Sequence, residues 1–280
     1  MRFTPESSQS SRVHVDTSWT FAPGVLIALA GYATIYGARW VRARKEGGAR
    51  AAGGWRALAW FAGLACLFVA LVSPLDRIGE QLASAHMVQH LLIADLAPIA
   101  LTLGLTKWIL RPLTRVIHRI ERAAGPLGHP AFGVIAYVGV MWLWHVPALY
   151  DAALEHPGVH VLEHLSFGAA GLLYWWHLLS PIRSRLRVGG LGPIAYMAST
   201  KLLVAFLGIV LAFSPDLLYD SYGTTGKRWG LTPIDDMHVA GLFMALEQAI
   251  VMGIALVVLF ARMLSEADRE DERAERYSEG

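Results

Sequence analysis

The chain has a single cysteine, Cys66, inside the apolar run LAWFAGLACLFVALV. Without a second thiol, no intrachain disulfide, cysteine-based zinc knuckle or CxxC copper clamp can form, and Cys66 reads as a small buried apolar side chain. Charge is scarce as well. Only 16% of the 280 residues are charged, against 55% hydrophobic, whereas a soluble domain carries about 25% charged residues. This composition points to a membrane protein and leaves no soluble domain for a basic nucleic-acid surface, so no nucleic-acid partner is expected. A glycine-rich phosphate loop, an HExxH zinc motif and a GxSxG elbow are also missing, and no catalytic residues are assigned. The opening stretch MRFTPESSQSSRVHVDTSWT lacks an apolar core and a small-residue cleavage pattern. It does not read as a signal peptide, so the first hydrophobic segment is expected to remain as a span.

Long apolar runs, by contrast, are plentiful. Seven of them, at 21–38, 55–72, 86–105, 130–150, 159–179, 193–213 and 237–263, suit helices of about 20 residues crossing a hydrocarbon core. Pro98 should bend the third. Ten tryptophans and nine tyrosines fit the same class, because their rings favour membrane interfaces. Arg39, Arg42, Arg44, Lys45, Arg50 and Arg56 follow the first span; Lys107, Arg111, Arg115, Arg119 and Arg122 follow the third; Arg183, Arg185 and Arg187 follow the fifth; Arg262, Arg269, Arg273 and Arg276 follow the seventh. Basic residues mark cytoplasmic loops. The expected architecture is an all-α integral membrane protein of seven transmembrane helices in the bacterial plasma (inner) membrane, N-terminus outside and C-terminus cytoplasmic. It divides into an outer segment (1–20), the membrane domain (21–263) and a charged tail (264–280).

That topology gathers histidines. His86, His90, His145, His156, His160, His164 and His238 all fall near the outer face, although they are scattered in sequence. His86/His90 and His160/His164 each share one helical face through i,i+4 spacing. Polar interface residues that cap helices would account for any one of them, but less readily for the set. Two such pairs on facing helices can offer imidazoles to a metal or to heme iron, with Glu163 beside them as a carboxylate that orients a ring. Met87, Met141, Met237 and Met244 lie at the same level, and thioether with imidazole suits Cu(I). The candidate metal ligands are therefore His86, His90, His145, His160, His164, Met237 and His238. Asp95, Met141, Glu163, Asp236 and Met244 are supporting residues. Asp235 and Asp236 also stand where helix caps belong, Asp95 is placed to pair with or tune the cluster, and Lys201 is read as snorkelling from the sixth span.

Five fragments carry a family resemblance: SPLD at 73–76, HMVQHLL at 86–92, WHVPALYDAAL at 144–154, HVLEHLSF at 160–167 with YWW at 174–176, and DDMHVAGLFM at 235–244. In this order they resemble the polytopic CtaG-type cytochrome c oxidase assembly proteins. The last fragment departs from the family pattern, with Met237 and His238 where a glutamine pair is common and Ala245 where tryptophan is frequent. The resemblance implies a non-enzymatic assembly factor handling copper at the outer face, with heme-copper oxidase subunits and a copper chaperone as partners. It implies His86, His90, His145, His160, His164 and Asp236 as family-like polar positions. Two other classes share the same residues: an electron carrier holding heme b between the histidine pairs, and a metal-free assembly scaffold. A transporter with a helix broken at Pro98 is a further class, without an inverted repeat to support it.

Overall fold

The computed structural model describes residues 14–182, 191–223 and 228–278. Arg183, Arg185 and Arg187, among the basic residues that orient the chain, lie outside them. The fold is built of helices: α1 (Pro23–Ala51), α2 (Gly54–Leu71), α3 (Pro74–Gly79), α4 (Ala83–Leu91), a π-helical turn at Leu92–Leu96, α5 (Ala97–Gly104), α6 (Lys107–Leu110), α7 (Thr114–Ala124), α8 (Pro130–Trp144), α9 (Pro147–Glu155), α10 (Pro157–Leu179), α11 (Gly192–Ala212), α12 (Asp220–Gly223) and α13 (Pro233–Ser278). Proline opens six of these. It lacks an N–H that the first turn does not use, and its fixed φ is already helical.

Among the described residues, five helices have the length and apolar composition to cross a membrane: α1, α2, Ala83–Gly104, α11 and Pro233–Val258 of α13. A sixth arises if Thr114–Gly128 and Pro130–Trp144, bent by 68°, are one span. Seven continuous apolar spans were expected, and the difference has two sources. The fourth segment stops at Trp144, because Pro147 starts a new helix. The fifth, α10, has 23 residues but spends part of its length on His160, Glu163, His164 and His177. At the other end, α13 continues as helix through Ser278, well past the expected end at residue 263.

The third span was expected to bend at Pro98, and just before that residue it carries a π turn, Leu92–Leu96, within one span from Ala83 to Gly104. A proline ring crowds the carbonyl four residues earlier, here that of Ala94. Gly171 of α10 supplies the space for it: a side-chain methyl at Gly171 would overlap the Ala94 carbonyl. This places α10 directly against the π turn. A second close approach joins α11 to α13, where a Cβ at Gly208 would stand 2.8 Å from both the Gly241 carbonyl oxygen and the Ala245 nitrogen. Small residues at helix crossings permit this backbone contact in a membrane, where lipid tails offer no hydrophobic driving force between helices. The buried core runs between α4, α8, α10, α11 and α13 through Met87, Ile93, Tyr137, Met141, Phe167, Tyr174, Met197, Val204 and Met244.

Candidate metal centre

On α4, one helical turn sets His86 above His90, and on α10 another sets His160 above His164. The close approach at Gly171 brings these faces together. Ring centroids are 4.2 Å apart within each pair, and between the pairs His86 lies 5.5 Å from His160 while His90 lies 5.7 Å from His164. Glu163, fully buried, points into the same space. Its Oε2 is 3.6 Å from His86 Nε2 and its Oε1 is 3.5 Å from His90 Nε2, beyond the ~2.7–3.2 Å of a well-formed hydrogen bond.

Among the described residues, both ring nitrogens of His86 and His90, Nε2 of His160 and of His164, and both oxygens of Glu163 have no hydrogen-bond partner. Buried polar atoms are nearly always paired, because desolvating them otherwise costs about 1–3 kcal/mol each. Eight such atoms on five neighbouring side chains mark a place prepared for something else. Two groups, His86–His160–Glu163 and His90–Glu163–His164, each offer three ligand atoms within 4.8 Å of one another. Ligand atoms sit about 3.3 Å apart around a tetrahedral ion with bonds of about 2.0–2.2 Å, so adjustments of about 1 Å close either group. Neutral imidazoles and one carboxylate form a donor set that fits a divalent or monovalent transition metal.

The frame around this cluster is rigid for identifiable reasons. Helix α4 starts after Leu82, which has no side chain able to cap it. Asp236, at the start of α13, does so across the bundle: its Oδ2 accepts from the Ala83 N–H at 2.6 Å, and its Oδ1 accepts from the Ser84 N–H at 3.3 Å and from the Ser84 hydroxyl. A carboxylate here also meets the positive end of the helix dipole. Asp235, not Asp236, serves its own helix, by pairing with Thr232. Further along α4, Gln89 Nε2 donates to the Ala70 carbonyl at 2.7 Å and to Asp76 Oδ1 at 2.8 Å, so the SPLD segment holds the histidine helix against α2. Replacing Asp236 with alanine is expected to lower stability by about 1 kcal/mol and to raise hydrogen exchange at Ala83–His86. Denaturant titration together with exchange mass spectrometry checks both effects.

Asp95 and Lys201 were expected to serve the cluster and to snorkel, respectively. Instead they form a buried ion pair, Lys201 Nζ to Asp95 Oδ1 at 2.8 Å, with both side chains wholly inaccessible. Asp95 Oδ1 also accepts from Trp175 Nε1 at 2.7 Å, and Oδ2 accepts from Tyr137 and, at 3.4 Å, from Gln248 Nε2. One carboxylate on the π turn thus ties together α8, α10, α11 and α13. It is satisfied where Glu163 is not.

A family model described as cytochrome c oxidase caa3 assembly factor matches residues 34–266, which include every residue of the cluster and its frame. The chain belongs to the caa3 oxidase assembly factor family. This family's role is assembly, not catalysis. Among curated proteins, an uncharacterized protein of Mycobacterium leprae is 23% identical over 266 residues, covering 87% of this chain and 39% of the relative. Uncharacterized proteins of Mycobacterium bovis and Mycobacterium tuberculosis are each 27% identical over 285 residues, covering 92% of this chain and 42% of theirs. The chain therefore spans about two fifths of the length of these relatives. No solved structure matches it.

The remaining candidates of this family member lie at different distances from the cluster. His145 ends α8, its ring centroid 6.4 Å from that of His90, and its Nε2 lies 3.4 Å from Met87 Sδ. Tyr150 of α9 packs on His86 at 5.1 Å and stacks on Tyr219 at 3.8 Å. Met237 and His238 turn to the segment after α11: Met237 Sδ accepts from the Leu218 N–H at 3.4 Å, and His238 Nε2 donates to the Ser214 carbonyl at 2.9 Å. Met141 and Met244 are buried in the apolar core. Sequence reasoning undervalued Glu163, which stands between the histidine pairs as a prospective ligand rather than beside them. It also missed Gln89, whose spacing of one residue from His90 gave no sign that it faces α2.

Proposed function

We propose that this family member binds copper in the Glu163-centred cluster at the outer face of the bacterial plasma membrane and relays it to heme-copper oxidase subunits during assembly, receiving it from a copper chaperone. The observation that carries this reading is the set of eight unpartnered buried nitrogen and oxygen atoms on the five side chains of the cluster, in a chain of the caa3 oxidase assembly family. Copper is the cargo of such a protein, and His86, His90, His160, His164 and Glu163 would hold it. The tight packing of the four rings around a carboxylate favours an ion over the flat slot that a heme b macrocycle needs.

The same reading includes seven spans, with α8–α9 and α10 as the fourth and fifth, an outer N-terminus and a cytoplasmic C-terminus, divided at residues 20 and 263. In support, the basic ends that the positive-inside rule assigns to one side meet there. Arg39 donates to the Trp108 and Ile109 carbonyls at 3.2 Å, Arg56 donates to the Leu103 carbonyl at 2.6 Å, and Arg111 lies 3.7 Å from Glu46.

Metal analysis and an absorption spectrum of purified protein test the proposal. The expected result is stoichiometric copper after loading under reducing conditions, with no Soret band. Retained heme with a reducible Soret band points to the electron carrier, and protein that takes up neither points to the scaffold. In cells lacking the chain, oxidase activity and oxidase copper content are expected to fall under copper limitation. Full activity there overturns the assembly role.

A further inference from the structure

His145 closes helix α8 in a way that fixes its tautomer. The chain turns at His145 because Pro147 begins α9, and the ring folds back so that Nδ1 lies 2.6 Å from the Met141 carbonyl oxygen, one turn earlier. A carbonyl only accepts, so Nδ1 carries the proton, and in the neutral ring Nε2 is left with a lone pair. That lone pair faces Met87 Sδ at 3.4 Å, with both side chains buried. A thioether sulfur has lone pairs and no proton. Two electron-pair donors therefore confront each other in a dry space, an arrangement with no attraction of its own that a soft cation between them resolves.

We infer that Met87 and His145, together with His90, form a second and softer seat that takes Cu(I) beside the Glu163-centred one. The inference rests on the copper reading above and names which ligands meet the monovalent ion. Bonds of about 2.0 Å to nitrogen and 2.3 Å to sulfur across the observed 3.4 Å separation give an angle of roughly 100° at the ion. This angle is too bent for two-coordinate copper and leaves a position for a third donor. His90 is placed to fill it. It lies three residues beyond Met87 on the same face of α4, its ring centroid is 6.4 Å from that of His145, and both of its nitrogens are unpartnered. Thioether and imidazole select Cu(I), whereas the carboxylate-centred groups suit a harder ion. Sharing His90 lets an ion pass between the seats by exchanging one ligand set for the other without leaving the buried cluster.

X-ray absorption on the full chain in detergent, loaded with one equivalent of Cu(I) without oxygen, tests this. The expected spectrum has a Cu–S shell near 2.3 Å together with nitrogen scatterers. Zn(II)-loaded protein is expected to have nitrogen and oxygen neighbours only. Met87→Leu, close in volume, is expected to lose the sulfur shell while retaining copper on nitrogen and oxygen, and to bind Cu(I) at least about tenfold more weakly in competition with a chromogenic chelator. Bound copper without sulfur in the wild-type spectrum overturns the second seat and leaves the Glu163 centre standing. A sulfur shell that survives Met87→Leu overturns it too. Failure of wild-type protein to bind copper at all overturns both readings. The wild-type spectrum decides the matter even if the variant does not fold.

Discussion

Lys201→Met is expected to lower the stability of the folded chain by about 3–5 kcal/mol, the cost of leaving a buried carboxylate without its counter-charge. Asp95 would keep Trp175, Tyr137 and Gln248 as donors, but these are dipoles, and the nearest full positive charge is the ammonium 2.8 Å away. Pairing the change with Asp95→Asn is expected to recover most of the loss. The asparagine oxygen still accepts from neighbouring donors, and no isolated charge remains. The interaction energy of this double-mutant cycle, read from denaturant unfolding in detergent, should therefore be large and positive, far from the near-zero coupling of independent sites. Additive single effects would show that the two groups are stabilised separately, by water or lipid headgroups, and that the pair does not hold α11 to the π turn.

This ion pair also shows what a sequence conceals. Asp95 and Lys201 stand 106 residues apart, and no periodicity relates the rotation of α11 to a π turn in another span. A lysine about two turns into a span reads as snorkelling when its partner is out of sight. Asp236 misleads in the same way. It occupies the first turn of α13, where an aspartate ordinarily caps its own helix, yet it caps α4, 153 residues away. Local features fared better. Prolines marked helix starts because their effect on φ and on the N–H is confined to one turn. The i,i+4 histidine pairs were legible because helical geometry alone puts them on one face. Their approach across two helices followed once the spans were laid out, although the carboxylate between them did not. The count of spans is less legible, since α10 carries His160, Glu163, His164 and His177 and so lacks the apolar signature of a lipid-facing helix.

The two buried polar layers along the third span differ in one respect that separates structure from function. At Asp95 the carboxylate meets the Lys201 ammonium and accepts from Trp175, Tyr137 and Gln248, so it fixes the packing of four helices, although beside it Glu247 Oε1 and Gln248 Oε1 have no partner. Around Glu163 of α10, which meets the third span at His86 and His90 before Asp95, the donors and acceptors face one another and remain unpaired. Local rules are expected to break where a site is prepared for a ligand, with the surrounding structure holding the strain. The Asp95 layer, the Asp236 cap and the Gln89–Asp76 contact are that surrounding structure.

Glu163→Gln is expected to reverse the usual relation between a mutation and stability. Without metal, the native carboxylate is fully buried, with only two imidazoles at 3.5 and 3.6 Å, so removing its charge should leave stability unchanged or raise it. With metal the order inverts. A ligand that binds only the folded state stabilises it by about 2.7 kcal/mol at a hundred times its Kd. Loss of a group shared by both triads weakens the site by at least about a hundredfold, the upper end of what a supporting contact contributes. At the same metal concentration the variant then gains only about 0.4 kcal/mol. Unfolding titrations of both proteins, apo and with Cu(I) under reducing conditions or with Zn(II), give four numbers whose cross-difference measures the role of Glu163. If the glutamine variant is strongly destabilised without metal and keeps the full metal response, the carboxylate is a structural group paired to the histidines, and the ligand reading of the cluster fails at its centre.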